Sequence, residues 1–407
     1  MTTTPTTPTT RRLSVVIGAG GTGGHIYPGL ALADALRRAV PDAEVAFVGT
    51  DRGLETRLVP DAGYPLHTVD MIPFDPALGA RRWLLPADLL RAGRQARQVL
   101  RDRRADVVVG MGGYPSAPAV LGARMAGLPA LIHESNAVPG RANRFAARLT
   151  PHIAVAFDHS RAHLAGGADA VTTGMPISAA LAGLAELPAA ERTRLRDEAR
   201  TALGVPAGRR LIVFNGGSLG AVRLTEAAAE LACRWQDRED VHLLVKTGVS
   251  GSGDALAHLT SECGGRRVAR AVPYLDRMDL VYAAADLVVC RAGSATIAEL
   301  AATGVPAVLV PYPHAPGDHQ THNARVLSDA GAGLLLPDAD TTGERLAALL
   351  EPLLADPRRL AAMAGAAAPG PHAHAADLLA DHVLRLAGRA RPAHPARPAH
   401  PTSLEHA

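Results

Sequence analysis

Short runs of apolar, mostly β-branched residues alternate along this chain with longer stretches in which Ala and Leu recur at helical spacing. "LSVVIGAGG" (13–21) is an apolar run, interrupted only by Ser14, that ends in glycines. "YPGLALADALRRAV" (27–40) follows with a helical period, and Pro28 suits a first helical turn, where its missing N–H is no loss. "EVAFVGT" (44–50), "ADVVVGMGGY" (105–114), "ALIHE" (130–134) and "HIAVAF" (152–157) repeat the strand signal. Runs that are apolar throughout, rather than alternating, predict strands covered on both faces. Their alternation with helices predicts parallel sheets.

The series restarts at "RRLIVFNGGSLG" (209–220), with a helix expected from about Ala221, and continues through "VHLLVKTG" (241–248), "DLVVCRAGS" (286–294) and "PAVLVPYP" (306–313). The expected fold class is α/β, with two Rossmann-like domains whose parallel sheets face each other across a cleft. The first domain is placed at 13–175 and the second at 209–366. A polar, helical hinge region is expected at 176–208, and a C-terminal helix at 367–388 that packs back on the first domain. Residues 1–12, rich in Thr and Pro, and 389–407, a Pro/Ala/Arg/His repeat, carry no strand or helix period and are expected to be disordered tails.

Composition narrows the function only a little. Aromatic residues make up 3% of the chain, so Ala, Leu and Val must build the cores. A net charge of +3 gives no reason to expect a nucleic-acid partner. The three cysteines Cys233, Cys263 and Cys290 form no CxxC and suggest a reduced, cytoplasmic setting. The N-terminus has no apolar signal-peptide core, and no apolar run approaches the ~20 residues that span a bilayer.

The glycine turns carry the chemistry. In a parallel sheet, ligands sit at the carboxyl ends of the strands. A glycine turn there exposes backbone N–H groups, and the following helix adds its positive end, so both favour phosphate. Each half has such a turn, at 18–24 and 215–220, and "GMGGYPSAP" (110–118) adds another to the first half. Two phosphorylated substrates are therefore expected. Gly18, Gly20 and Gly23 also spell GxGxxG, the dinucleotide fingerprint, but Thr50 and Asp51 give no clear acid at the end of the second strand.

Six segments, "GGTGGHIYPGLA" (20–31), "GMGGYPSAP" (110–118), "HESNAVPGRANR" (133–144), "GGSLGA" (216–221), "CRAGSATIAELAATGVPAVLVP" (290–311) and "DHQTHNA" (318–324), occur in an order that resembles the MurG family of glycosyltransferases. The resemblance covers roughly residues 13–388. It implies a GT-B fold and a peripheral enzyme of the cytoplasmic face of the cell membrane, acting in peptidoglycan synthesis. Such an enzyme moves N-acetylglucosamine (GlcNAc) from UDP-GlcNAc to the 4-hydroxyl of the muramoyl sugar of lipid I, the undecaprenyl-diphosphate-linked muramoyl pentapeptide, and gives lipid II.

The resemblance also implies residue roles. Gly20, Gly21, Thr22, Gly23 and Gly24 would cradle the acceptor diphosphate, with Asn136 and Asn143 orienting sugar groups. Thr22, Gly23, Gly24 and Asn136 would also border the donor. Gly217 and Ser218 would bind the UDP diphosphate, Leu275 would lie by the uracil, Glu299 would take the ribose hydroxyls, and His319 and Gln320 would read the GlcNAc. Inversion at the anomeric carbon calls for a base, and His25 or Glu134 would supply it. No cofactor and no metal are expected, since the glycine turn and helix N-terminus can receive the leaving diphosphate and no DxD motif is present.

Ile72, Phe74, Arg81, Arg82, Trp83, Leu84 and Leu85 mix apolar and basic side chains, as a segment lying on an anionic membrane surface would. Three positions depart from the family pattern. Ser178, which the resemblance places among the donor-binding residues, stands where an arginine usually neutralises the UDP diphosphate, Leu219 where glutamine is usual, and Thr225 where asparagine is common. Arg223 and Arg291 are the candidates to replace the missing arginine. The departures leave two alternatives: a related GT-B enzyme with another acceptor (a natural product or other lipid), or a sugar-nucleotide-binding protein without catalysis.

Overall fold

The computed structural model describes residues 11–72, 84–217, 220–248, 261, 268–367 and 370–389. Two sheets organise the chain. The first has seven strands: β1 (Ser14–Gly18), β2 (Glu44–Gly49), β3 (Leu66–Thr68), β4 (Val107–Gly110), β5 (Ala130–Glu134), β6 (His152–Val155) and β7 (Val171–Thr172), in the spatial order β3-β2-β1-β4-β5-β6-β7. β1 pairs in parallel with both β2 and β4, which sets Gly18 beside Gly110. The second sheet has six: β8 (Arg210–Asn215), β9 (Val241–Lys246), β10 (Ala269–Val272), β11 (Leu287–Cys290), β12 (Ala307–Leu309) and β13 (Gly333–Leu335), in the order β10-β9-β8-β11-β12-β13. All its pairings are parallel, and Asn215 lies beside Cys290. The expected α/β class with two parallel sheets is therefore present.

The apolar runs are strands for the reason their composition suggests. β1 and β4 are buried along their whole length, and β8 from Leu211 onward, because helices cover both faces. Among the described residues the first compact unit runs to His133, takes in Arg141–Ala154 and resumes at Asp377; the second holds Glu134–Gly140 and Val155–Ala376.

Helices follow the glycine turns: α1 (Gly23–Ala39), then α2 (Glu55–Asp61), α3 (Leu85–Asp102), α4 (Ser116–Ala126) and α5 (Arg141–Ala146). α1 corrects one expectation. It begins at Gly23, with Thr22 at its cap, so Pro28 lies inside it and not in its first turn. Pro28 therefore leaves the carbonyl of Gly24 without the usual helical partner. The paired glycines read as a turn in sequence but are helical here.

The polar stretch 176–208 forms α6 (Ala179–Leu184) and α7 (Ala189–Ala202), both within the second unit. α7 is held by Asp286, which accepts from Arg196 Nη2 at 2.7 Å, Arg200 Nη1 at 3.2 Å and the Leu211 amide at 2.7 Å. The helix Ala375–Leu386 carries Asp377, which pairs with Arg38 of α1 at 3.1 Å. Cys290 is free and buried, whereas Cys233 is disulfide-bonded, so the expectation of reduced thiols fails at Cys233.

Candidate functional site

In each sheet the strand order reverses once, between β1 and β4 and between β8 and β11. Connections from the two strands at such a point leave in opposite directions, and the gap between them is where a ligand enters. The loops at these two points are the glycine turns picked out in the sequence.

In the first unit, residues 19–22 leave β1 and 111–115 leave β4. His25, half-buried in the first turn of α1, packs against the second of these loops. A Cβ on Gly112 would lie 2.8 Å from His25 Cδ2, and one on Gly113 would lie 3.2 Å from His25 Nδ1 and 2.5 Å from the Gly20 carbonyl oxygen. Both glycines have left-handed backbones, with φ of +91° and +76°. His25 Nδ1 lies 3.2 Å from Thr22 Oγ1. Asn143, buried in α5, donates to the His133 carbonyl at 2.9 Å and comes within 3.4 Å of a Cβ built on Gly112. The structure thus brings Thr22, His25 and Asn143 to one glycine loop.

Gly21 is differently employed. Its N–H donates to Glu55 Oε2 at 2.9 Å, so it points away from any ligand in front of the loop. At the start of α1, the N–H groups of Gly23 and Gly24 have no carbonyl one turn back within the helix, as at every helix start.

In the second unit, Glu134 is buried and its carboxylate is committed to the loop that follows it. Oε1 accepts from the Asn136 amide at 2.8 Å, and Oε2 from the Gly140 amide at 3.2 Å. Asn323, fully buried and not singled out from the sequence, accepts from the Ala137 amide at 2.9 Å. It also donates to Asn136 Oδ1 and to the Ala292 carbonyl, each at 3.2 Å. Gln320, one helical turn earlier, accepts from the amides of Ala292 at 3.2 Å and Tyr312 at 2.9 Å. Its carbonyl end is thereby fixed to the loops after β11 and β12. His319 Nδ1 lies 2.9 Å from the Pro316 carbonyl oxygen.

At the second switch point, Gly217 has a left-handed backbone and its N–H donates to Asn215 Oδ1 at 3.0 Å. Ser218, and Leu219 beside it, lie outside the described residues. Glu299, on the helix Ser294–Thr303, accepts from the buried Tyr282 hydroxyl at 2.9 Å. Burial raises the Glu299 pKa from 4.5 to about 7, against the opposing pull of the Tyr282 hydrogen bond and the Lys246 charge. Burial in turn lowers the pKa of Lys246, whose ammonium sits 4.8 Å from the Tyr274 ring centre. Tyr282 and Lys246 escaped the sequence reading because each looks like an ordinary element residue. Leu275 is partly buried against the core of the second unit.

Ser178 caps α6, accepting from the Leu181 amide at 3.4 Å, and Thr225 donates within α8 (Val222–Arg234) to the Ala221 carbonyl at 3.2 Å. Both residues therefore serve local helix geometry. The two candidate replacement arginines converge on one acid: Arg291 lies 2.6 Å and Arg223 3.3 Å from the Asp338 carboxylate.

Of the membrane candidates, Phe74, Arg81, Arg82 and Trp83 lie outside the described residues. Ile72 and Leu85 are half-buried, and Leu84 is 58% exposed. α3 is a packed helix seated closely on α4: a Cβ built on Gly93 would lie 2.8 Å from Leu121, and one on Gly122 3.0 Å from Ala96. Among the described residues no helix is long and apolar enough to cross a membrane, and no group of three His, Cys, Asp or Glu is placed to hold a metal.

Two parallel sheets, each with a glycine turn at its switch point, define the class: a two-domain α/β protein that offers ligands the carboxyl ends of its strands. Comparison with known proteins makes the class specific. The Glycosyltransferase family 28 N-terminal domain matches residues 15–155, and the Glycosyltransferase family 28 C-terminal domain matches 211–380. The chain is 41% identical over 387 residues to a UDP-N-acetylglucosamine--N-acetylmuramyl-(pentapeptide) pyrophosphoryl-undecaprenol N-acetylglucosamine transferase of Desulforudis audaxviator, covering 93% of this chain and 99% of that one. It is 44% identical over 357 residues to the transferase of the same name from Paenarthrobacter aurescens, covering 86% and 90%. The crystal structure of Acinetobacter baumannii MurG superposes with a TM-score of 0.69 at 29% identity, over 92% of this chain and 99% of that one. The chain belongs to glycosyltransferase family 28, and within it to the MurG transferases, which have the GT-B architecture of two Rossmann-like domains.

Proposed function

We propose that this protein is an inverting N-acetylglucosaminyltransferase that moves GlcNAc from UDP-GlcNAc to the 4-hydroxyl of the muramoyl sugar of lipid I, giving lipid II. The carrying observation is identity of about 40% along nearly the whole chain to transferases of that name, in a chain that places a glycine turn at the switch point of each sheet. The acceptor hydroxyl oxygen attacks the anomeric carbon, the bond to the diphosphate oxygen breaks, and UDP leaves with the electron pair. His25 takes the hydroxyl proton. Its place on a glycine loop, beside Thr22, suits a base better than that of Glu134, whose carboxylate already holds two backbone N–H groups.

On the donor side, Glu299 accepts the ribose hydroxyls and the amide nitrogen of Gln320 meets the sugar, since the Gln320 oxygen is spent on the scaffold. The turn after β8 and the start of α8 receive the leaving diphosphate without a metal or other cofactor. The protein works at the cytoplasmic face of the cell membrane, where Ile72, Leu84 and Leu85 flank the segment that meets anionic lipid.

The test is transfer of labelled GlcNAc from UDP-GlcNAc to a short-chain lipid I analogue. Product should form at an undiminished rate in excess chelator, and His25→Ala should lower kcat by roughly 10²–10⁴-fold, the usual worth of a general base. Binding of UDP-GlcNAc with no transfer to lipid I would turn the reading toward another acceptor.

A further inference from the structure

The geometry points to Glu55 as a positioning residue that shapes the acceptor-side glycine turn from behind. Glu55 opens α2 and is fully buried. Its carboxylate takes three donors: the Gly21 amide at 2.9 Å on Oε2, and the Thr50 amide at 3.1 Å and Thr50 hydroxyl at 2.8 Å on Oε1. Thr50 Oγ1 also lies 3.0 Å from the Tyr114 hydroxyl, and the Tyr114 ring comes within 3.3 Å of a Cβ built on Gly21. The carboxylate thus ties the turn after β1 to the end of β2, and the Thr50 hydroxyl links both to the loop after β4.

The surrounding glycines are fitted to this side chain. A Cβ on Gly20 would stand 2.5 Å from Glu55 Oε1, and one on Gly49 2.8 Å from its Cγ; one on Gly53 would run into Oε2. Gly20 and Gly53 are therefore accounted for by a side chain of the protein itself, and neither needs close approach of a ligand to explain it. The consequence is a division of labour within the turn. Gly20 and Gly21 are the fixed part. Thr22, Gly23 and Gly24, at the free N-terminus of α1, remain to face an anionic group, with the helix dipole behind them. Because Gly21 is anchored, Thr22 and the His25 ring it touches inherit a fixed position.

The role in transfer rests on the proposed function; the anchoring of the turn does not. Glu55→Gln preserves shape and replaces one acceptor oxygen by an N–H₂ group. With the amide oxygen kept toward the two Thr50 donors, the nitrogen faces the Gly21 N–H, and that bond is lost. Two readouts on the full chain decide the matter. Hydrogen exchange across residues 18–25 should quicken at least tenfold, with exchange in the second sheet unchanged. In the transfer assay the KM for the lipid I analogue should rise at least tenfold, while the dissociation constant for UDP-GlcNAc stays within twofold. Thr50→Val, which removes one donor and leaves Gly21 attached, should move both readouts in the same direction by less, and serves if Glu55→Gln does not fold. Unchanged exchange at 18–25 overturns the anchoring. A loss of donor affinity as large as that of acceptor affinity overturns the positioning role in favour of general destabilisation. If the native chain binds UDP-GlcNAc but does not act on lipid I, the functional reading fails, and the exchange result still decides for or against the anchor.

Discussion

Glu299 gives the sharpest quantitative expectation. Burial on the helix Ser294–Thr303 raises its pKa from 4.5 to about 7, which brings its titration into the neutral range. If only the ionised carboxylate accepts the ribose hydroxyls, the apparent dissociation constant is multiplied by one plus the ratio of protonated to ionised enzyme. That factor is ~11 at pH 6, ~2 at pH 7 and ~1.1 at pH 8, a tenfold gain in donor affinity across two pH units. A carboxylate of ordinary pKa would give a change of only a few per cent. The assay is binding of UDP-GlcNAc by calorimetry between pH 6 and 8.5, without acceptor. UDP-GlcNAc is preferred to UDP, whose terminal phosphate would itself titrate near pH 6. Glu299→Gln should bind about tenfold to a hundredfold more weakly at pH 8, the worth of a charge-assisted bond of ~1.5–3 kcal/mol, and should show no slope. Lys246→Met and Tyr282→Phe should each move the midpoint upward, because the Lys246 charge and the Tyr282 hydrogen bond both favour the ionised form. A flat profile in the native protein, or a slope that survives in Glu299→Gln, would refute the assignment of the ribose to Glu299.

Two further outcomes follow from the packing. Gly113→Ala forces a left-handed backbone at φ +76° and sets a methyl 2.5 Å from the Gly20 carbonyl oxygen. It should cost about 2 kcal/mol or more by denaturant unfolding and displace His25, and unchanged stability would refute the close approach. His242 and His372 are both buried, with pKa values lowered from 6.5 to about 4, His242 by burial and then the charges of Arg209, Arg270 and Arg200, and His372 by burial alone. A depressed folded-state value means that the unfolded chain binds protons first. Their contribution is fully present above pH 6.5 and is lost as pH falls toward 4, on the order of 3 kcal/mol for each. His372→Gln should flatten the acid limb of a stability–pH curve for the second unit, and an acid limb unaltered by this change would count against it.

The sequence determined the layered plan of this protein. Unbroken β-branched runs can be satisfied only by strands covered on both faces, and glycines at the ends of those runs mark where the chain turns beside a ligand. Those signals are local, so the strands β1, β2, β4, β5, β6, β8, β9, β11 and β12 were legible as elements, whereas the short β3, β7, β10 and β13 were not. The start of α1 was not, because two glycines have no intrinsic preference for a helix and only the surrounding packing places them in one. The same limit applies at the site. His25, Gln320 and Glu299 stand in recognisable motifs, and a motif names a residue without saying what its atoms already hold. The tertiary structure decided that the Glu134 carboxylate is spent on Asn136 and Gly140, that Arg223 and Arg291 both lean on Asp338, and that Gly21 answers to Glu55, 34 residues further along the chain. A hydrogen bond or a desolvation penalty depends on which atoms meet across the fold, and residues distant in sequence meet only once the sheets have formed.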